Sequence, residues 1–480
     1  MVTTRIKSLS ELTGVIPDAS LTSLKKLHQS RLKPFESPLA ELTRAAVDDP
    51  TNFGNRKLDE FLASVIAELK AKRDAQKSAI IAHPKFRELE RNHSVVRRRV
   101  FQKAGQGMRV RVVNASLADL RTDFADAGRP DLGWFYQQVI AAHYHRPGGE
   151  PIRTLTVADP VGAADAGVMT DLLGLAAEAH FVVLTTATPE VTAMEGEEPA
   201  DFAHLTTATP DQIADDYKKA DNAPLHGLQQ TPLATRWLYA VGQANARLAH
   251  HPKHHPHPRS PGFVESNGPL RIPVSAVVGE AIAASYTRFG NGSRISGVFA
   301  GGKHVLAAVV SGGEVQTLDC VLNELHEKAL HDNGLYCLLP WKKKDYAVGF
   351  DSPTAFVPEP TGDAQADADA VIASKLAFVL LAVEYGHRLK KELRYARGQA
   401  ITCDGMKRLI EQKLKLDITP DANSASQATL ARKPLAKVKV TVTSPSPGVF
   451  VATAEIIPHT LLVGARVSLK LKAELSAAKP

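Results

Sequence analysis

Residues 153–189 read RTLTVADPVGAADAGVMTDLLGLAAEAHFVVLTTATP, and the change of period inside them sets the fold class. RTLTVADP has the character of a strand, AGVMTDLLGLAAEAH carries apolar residues at helical spacing, and FVVLTTATP is a short apolar run that suits a buried strand. Strand, helix and strand in that order make a βαβ unit. The spacing therefore predicts an α/β (α+β) chain whose middle holds a parallel or mixed sheet covered by helices.

Upstream, MRVRVVNASLADLRTDF (108–124) repeats the pattern. Val110, Val112 and Val113 predict a strand, Asn114 to Ser116 a turn or cap, and Leu117, Leu120 and Phe124 a helix. Farther back, Leu58, Phe61, Leu62, Val65, Ile66 and Leu69 fall three and four apart, one stripe of an α-helix. Asp59, Glu60, Glu68, Lys70, Lys72 and Arg73 charge the other face, so this helix lies on something with its apolar side. The stretch AHPKFRELE (82–90) then restarts a helix, because proline is disfavoured inside one but suits its first position. His83-Pro84 marks a corner, after which Phe86 and Leu89 carry a second short stripe.

Downstream, VSAVVGEAIAASYTRFG (274–290) predicts a helix, SRISGVFAGGKHVL (293–306) a glycine-rich return, and GLYCLLPW and YAVGF short strands. A long helix is expected from about Asp367 to Arg397, with Ile372, Leu376, Val379, Leu380 and Val383 on one stripe, acidic at its start and basic at its end. Near the C-terminus the period becomes two. Val438 to Val442 alternates, Ser444 to Gly448 turns, Val449 to Ile457 runs as a second strand and Arg466 to Lys472 alternates again. Such an antiparallel sheet is half-buried, with lysines on its wet face, and an open edge could accept strands from another chain. The expected organisation is an N-terminal extension at 1–57, a helical pair at 58–100, and a middle α/β region at 101–350 with a His/Pro-rich loop at 250–262. An acidic, proline-bearing connection comes next at 351–370, then a C-terminal helix and sheet at 371–480.

At 480 residues the chain is long enough for about two to four domains. The apolar run Leu376 to Val383 is far short of a membrane span, and Met-Val-Thr-Thr-Arg-Ile-Lys-Ser has no secretory apolar core. Cys320, Cys337 and Cys403 are few, odd in number and far apart, which argues for a reducing compartment. The expectation is a cytoplasmic protein without membrane insertion. A net charge of +7 and a pI near 9.1 raise the question of nucleic acid. The basic groups Arg97 to Arg99, Lys342 to Lys344 and Arg388 to Lys391 are short, dispersed and without interleaved aromatics, which reads as solvated surface.

Candidate chemistry is sparse. His250, His251, His254, His255 and His257 sit among closely spaced prolines, a poor frame for fixed tetrahedral ligands. Gly297 to Lys303 lacks the phosphate-loop spacing and reads as a tight turn. His326-Glu327 with His331 misses the zinc-protease spacing by one residue and reads as a solvated helix face. Asp363, Asp367 and Asp369 lack the rest of a calcium loop and suit a helix start. No Gly-x-Ser-x-Gly or Cys-x-x-Cys occurs. The expectation is therefore no enzyme, no cofactor and no metal, and assembly is favoured over catalysis.

A resemblance runs through the chain in order, from about residue 55 to 475. AIIAHPKFRELERNH (79–93), next to its amphipathic helix, resembles a signature of the large sheath subunit of bacterial type VI secretion systems (TssC/VipB-like), and MRVRVVNASLADLRTDF is similar to the next strand and helix of that family. SRISGVFAGG, LNELHEKALHDNGLYCLLPWKKKDYAVGFDS (322–352) and IASKLAFVLLAVEYGHRLKKELRYARG (372–398) are similar to later family segments, the last through His387, Leu389, Lys390, Arg394 and Gly398. The tail GVFVATAEIIPHTLLVGARVSLKLKAEL (448–475) shares Pro458-His459 and Ser468 to Leu471. A divergent member is indicated: the family's Trp-Arg-Gly is replaced within Asn92 to Val95, and the His/Pro insert has no counterpart.

The resemblance implies a contractile-sheath fold and a structural subunit that pairs with a small sheath subunit (TssB/VipA-like). It polymerises with further copies around an inner tube protein (Hcp-like) on a baseplate, contracts to drive the tube through a target membrane, and is recycled by an AAA+ ATPase. It points to Leu58, Phe61, Leu62, Val65, Ile66 and Leu69 for the partner helix. For an inter-subunit sheet it points to Val438, Val440, Val442, Val449, Val451, Val467, Leu469 and Leu471. An α/β enzyme with an unrecognised site, or a basic nucleic-acid-binding protein whose affinity falls with salt, are the alternatives.

Overall fold

The computed structural model describes residues 58–103, 109–146, 148–246, 269–311, 314–395, 401–421, 424–446, 449–459 and 469–475. The chain divides into two units, 1–81 and 82–480. In the first, the described part is helix α1 (Leu58–Ala82). In the second, helix α2 (Pro84–Lys103) starts after a single non-helical residue, His83. Pro84 takes the first helical position, where its missing N–H costs nothing. The Lys85 N–H donates to Nδ1 of His83 at 3.3 Å and the Arg87 N–H to the His83 carbonyl at 3.0 Å. Ser94 and Val95 of α2 are buried within this unit, whereas Phe86 and Leu89 stay exposed.

The strand expected at Val110, Val112 and Val113 is absent, because 109–116 is irregular backbone. Its Val112 is 60% exposed and its arginines turn to Glu150, Arg109 at 3.1 Å and Arg111 at 3.7 Å. With no burial to reward the alternation, no ladder forms. Helix α3 (Leu117–Ala127) begins where expected, fixed by a capping box between Ser116 and Asp119.

The βαβ unit is present. β1 (Thr154–Val161), helix α4 (Ala166–Ala179) and β2 (Val182–Ala187) form a parallel pair with Thr154 opposite Val182, and β3 (Trp237–Ala240) continues it with Val183 opposite Trp237. Both faces of this sheet are covered. Val183, Trp237 and Tyr239 point into a core shared with α3, α4, α5 (Pro210–Tyr217) and α6 (Ala223–Gln229). Val182, Leu184 and Leu238 point into a second core with α7 (Val274–Phe289). Burial on both sides explains the unbroken apolar run FVVL, as in other parallel sheets.

Small sheets surround this centre. β4 (Gln243–Asn245) pairs with β5 (Arg271–Pro273), and β6 (Lys303–Val305) is joined to β10 (Tyr346–Val348) and β9 (Leu339–Pro340). β7 (Val309–Ser311) pairs with β8 (Glu314–Gln316), and helix α8 (Glu324–Asp332) precedes β9. The turn before β6 is not a phosphate cradle. Gly297 donates to the Gly349 carbonyl at 2.7 Å and Gly349 to Gly302 at 2.9 Å, and a Cβ on Gly302 would fall 2.3 Å from the Gly349 oxygen. The Gly297 and Gly302 amides are used within a close backbone approach that only glycine permits.

The long helix expected at 367–397 is two, α9 (Ala364–Ala373) and α10 (Leu376–Tyr395). The break is made by the chain at 352–354: Thr354 donates to the Ser374 carbonyl at 3.1 Å and Leu376 to Ser352 at 2.8 Å. Tertiary hydrogen bonds replace helical ones there. α10 then serves two cores, with Leu376, Val379, Leu380 and Val383 in the second and Leu381, Tyr385, Leu389 and Leu393 in a third. That third core is closed by α11 (Cys403–Lys415) and a C-terminal sheet of β11 (Leu435–Ser446), β12 (Val449–Pro458) and β13 (Leu469–Leu475), whereas the short helix α12 (Gln427–Arg432) is held near the end of α7, where Asn291 donates to the Ala431 carbonyl at 2.7 Å. The order is β11-β12-β13, antiparallel throughout. Among the described residues no helix is long and apolar enough to cross a membrane.

Candidate assembly surfaces

On α1 the positions of Leu58, Phe61, Leu62, Val65, Ile66 and Leu69 share an arc of about 140° at the helical turn of 100° per residue. Ile66 is the one whose side chain lies within the described residues, and it is 51% exposed. Ile80 falls in the same arc, fourteen residues on, and is 45% exposed. Sequence reading stopped at Leu69 because the apolar spacing lapses through the 70s; helical phase alone recovers Ile80. Ile66 and Ile80 leave apolar surface open at two points of one helical arc, which suits a partner surface.

The C-terminal sheet has one dry face and one wet one. Val440, Ala452, Ala454, Ile456 and Leu471 are buried against α10 and α11, with Val438 and Val442 packed beside them. The opposite face carries Lys439 and Glu455 in one cross-strand row, with Thr441 and Thr453 in the next. Alternate charges in such a row attract weakly and keep the face wet. Val451 points to this outer face, opposite Thr443 and Glu474, so it does not share the core of the other valines. Val467, and the side chains of Val449 and Leu469, lie outside the described residues. β11 and β13 are the two edges. Leu435 is tied into the chain at Asp417 and Thr419, and beyond it β11 has no second ladder among the described residues.

Sequence reading missed the polar joint that ties this sheet module to the parallel sheet. Glu384 of α10 is 4% exposed and accepts from Arg153 Nε on Oε2 at 2.7 Å and from Arg388 Nε on Oε1 at 2.8 Å. Arg388 also pairs with Asp417, which accepts from the Tyr385 hydroxyl at 3.1 Å. Burial works to raise the Glu384 carboxyl, but the two arginines outweigh it and hold it below the usual range. Arg153 lies before β1 and Asp417 after α11, so one carboxylate and one guanidinium link three parts of the fold.

Behind them lies a neutral, aromatic patch. His387 packs edge-on to Tyr144 at 5.9 Å and to His180 at 6.2 Å, and burial pushes the two imidazoles down to about 3 and about 4. Lys390 sets its ammonium 3.2 Å from the Tyr144 ring centre and Arg394 donates to the Tyr144 carbonyl. Of the positions that carried the family resemblance, His387, Lys390 and Arg394 are thus brought together here, Leu389 lies in the third core, and Gly398 lies outside the described residues. His459 is buried too, its N–H donating to the Pro434 carbonyl at 2.9 Å.

The other candidates separate by environment. His326 and His331 do not lie on a solvated face: His326 is buried, His331 is pushed down to about 4 by burial, and Glu327, 3.9 Å from it, is raised to about 6 by burial. α8 presses that face against the 350–351 segment, which the one-residue offset from a metal motif concealed. Asp363 caps α9 through the amides of Gln365 and Ala366, and Asp367 accepts from Thr361, so both stabilise a helix start. The histidines at 250–257 lie outside the described residues, and among those described no cluster has a metal-ligating arrangement.

Comparison with known proteins adds a second, independent line. Residues 63–355 match the family model described as EvpB/VC_A0108, tail sheath N-terminal domain, and residues 365–475 match the EvpB/VC_A0108 tail sheath gpW/gp25-like domain. The chain is 23% identical to the type VI secretion system sheath protein TssC1 of Pseudomonas aeruginosa over 98% of its own length and 97% of that protein's. Among solved structures it is similar to the helical sheath of the anti-feeding prophage in its contracted state. That match has a TM-score of 0.37 and 13% identity, and covers 81% of this chain and 79% of that one. The baseplate of the same particle gives a TM-score of 0.33 and 12% identity, covering 68% and 66%.

Proposed function

Since the chain belongs to the VipB family of tail sheath proteins, EvpB/VC_A0108, and is a structural subunit of a contractile sheath, we propose how its surfaces serve that assembly. α1 binds a small companion sheath subunit through the stripe from Leu58 to Leu69, continued by Ile80. The edges of the C-terminal sheet accept strands from neighbouring subunits, and the rings so linked surround an inner tube above a baseplate. Contraction drives that tube through a target membrane, and an AAA+ ATPase recycles the spent sheath in the cytoplasm.

The observation that carries this reading is the C-terminal sheet itself: one face sealed on α10 and α11, with strands at both edges. A sealed face fixes the strands' register, while an edge ladder survives rigid-body rotation of its neighbours if the linkers flex. No nucleotide is needed in the sheath: subunits held in an extended lattice release free energy on rotating into a better-packed one. The test is co-purification with the companion encoded beside this chain. Replacing Phe61, Val65 and Leu69 by Asp is expected to abolish the heterodimer, and an undiminished heterodimer would refute the assigned role of α1.

A further inference from the structure

We propose that the ridge formed by β6 and the β9–β10 hairpin receives helix α9 of a second copy of this chain, a neighbour contact that rests on the sheath reading above. The hairpin closes through Trp341 N–H to the Tyr346 carbonyl and Lys344 N–H to the Trp341 carbonyl, both 3.1 Å. Its tip is Lys342, Lys343 and Lys344, all exposed and none paired with a carboxylate among the described residues. Lys343 sits at φ 59, a left-handed position that Asn or Gly would occupy at less cost, so a purely solvated turn gives no reason for lysine there.

Beside the tip lies an apolar strip. Lys303 places its ammonium 4.0 Å over the Tyr346 ring, Trp341 lies 5.5 Å from that ring, and Val305 faces Tyr346 across the ladder. Trp341, Val305 and Phe350 are each about 40% exposed. Aromatic and apolar groups rimmed by free cations fit an acidic segment carrying small apolar side chains.

The same chain presents such a segment. α9 has ten residues and buries none of them, and Val371 is 50% exposed. Around it stand Glu359, Asp363, Asp367 and Asp369. A helix this short, with no fully buried residue, is below the length that persists alone in water, and a neighbour supplies further cover. Because ridge and helix are different patches of one chain, their pairing is head-to-tail. Such contacts generate rings or open helical polymers rather than closed dimers.

The test reverses charges that do not hold the helix start. Lys342→Glu with Lys344→Glu alters the ridge, and Glu359→Lys with Asp369→Lys alters the helix without touching the caps at Asp363 and Asp367. Sedimentation velocity of the full chain in about 50 mM salt, where surface charges are weakly screened, measures self-association. Each pair of reversals is expected to weaken it by about tenfold or more, and all four together to restore it. Unchanged association, a fourfold variant no better than its parents, or a wild-type chain that stays monomeric would each overturn the proposal. The last result would leave the sheath reading intact, since tubes formed with the companion subunit test that separately.

Discussion

Glu384 shows most clearly how one side chain holds this fold in place. It is almost wholly buried, yet it keeps its charge because two guanidiniums reach it from different parts of the chain. Glu384→Gln leaves Arg153 without its carboxylate and Arg388 with Asp417 alone, and is expected to cost about 3 kcal/mol, near the lower end for a broken buried pair because the arginines remain partly wet. Urea denaturation measures this. The pair was invisible in the sequence, since Arg153 and Glu384 lie 231 residues apart and nothing local distinguishes them from surface charges. His387 adds a pH dependence. Its folded form resists protonation down to about 3 whereas an unfolded histidine takes a proton near 6.5, so stability falls as pH drops through that interval. His387→Phe is expected to make the stability profile less steep between pH 6.5 and 4, with the buried His180 and His331 keeping their share, and a profile as steep as wild type would show that this imidazole is not a source. The carboxylate adds a lower window: Glu384, held below its unfolded value of about 4.3, gives up its contribution only as pH falls through its own folded range.

At the scale of elements, α10 is the spine, with one half in the sheet core and the other in the C-terminal core. Its stripe from Leu376 to Val383 was legible, and so was the βαβ unit, because burial imposes a period that residues report locally. The break at 374–375 was not, because Ser and Lys are ordinary helix residues and the cause lies in hydrogen bonds from Thr354 to the Ser374 carbonyl and from Leu376 to the Ser352 carbonyl. For the same reason 109–116 reads as a strand and is none: its alternation is real, but no edge is brought to it. α1 lends itself to direct testing at this scale. Ile66→Asp with Ile80→Asp changes two side chains that are about half exposed, so the thermal midpoint of the isolated chain should move by less than about 2 °C while companion binding is lost. Binding kept in full would mean that the stripe faces only water.

For the whole molecule, the three cores form a chain of supports: parallel sheet, α10, C-terminal sheet. The third was foreseeable from Lys437 to Val442 and Val449 to Ile457, whose period of two announces a half-buried sheet, and its edges from the short count of strands. The groups that join the layers could not be read in advance, since joints are made between residues distant in the chain. As a sheath subunit this protein needs a rigid body, which its three cores provide, and the proposed strand exchange at the C-terminal sheet would join it to its neighbours. The most direct measurement is negative-stain electron microscopy of the chain co-expressed with the proposed companion subunit. Hollow, ridged tubes that appear only with both chains are the predicted result; two proteins that neither associate nor form tubes would contradict the account.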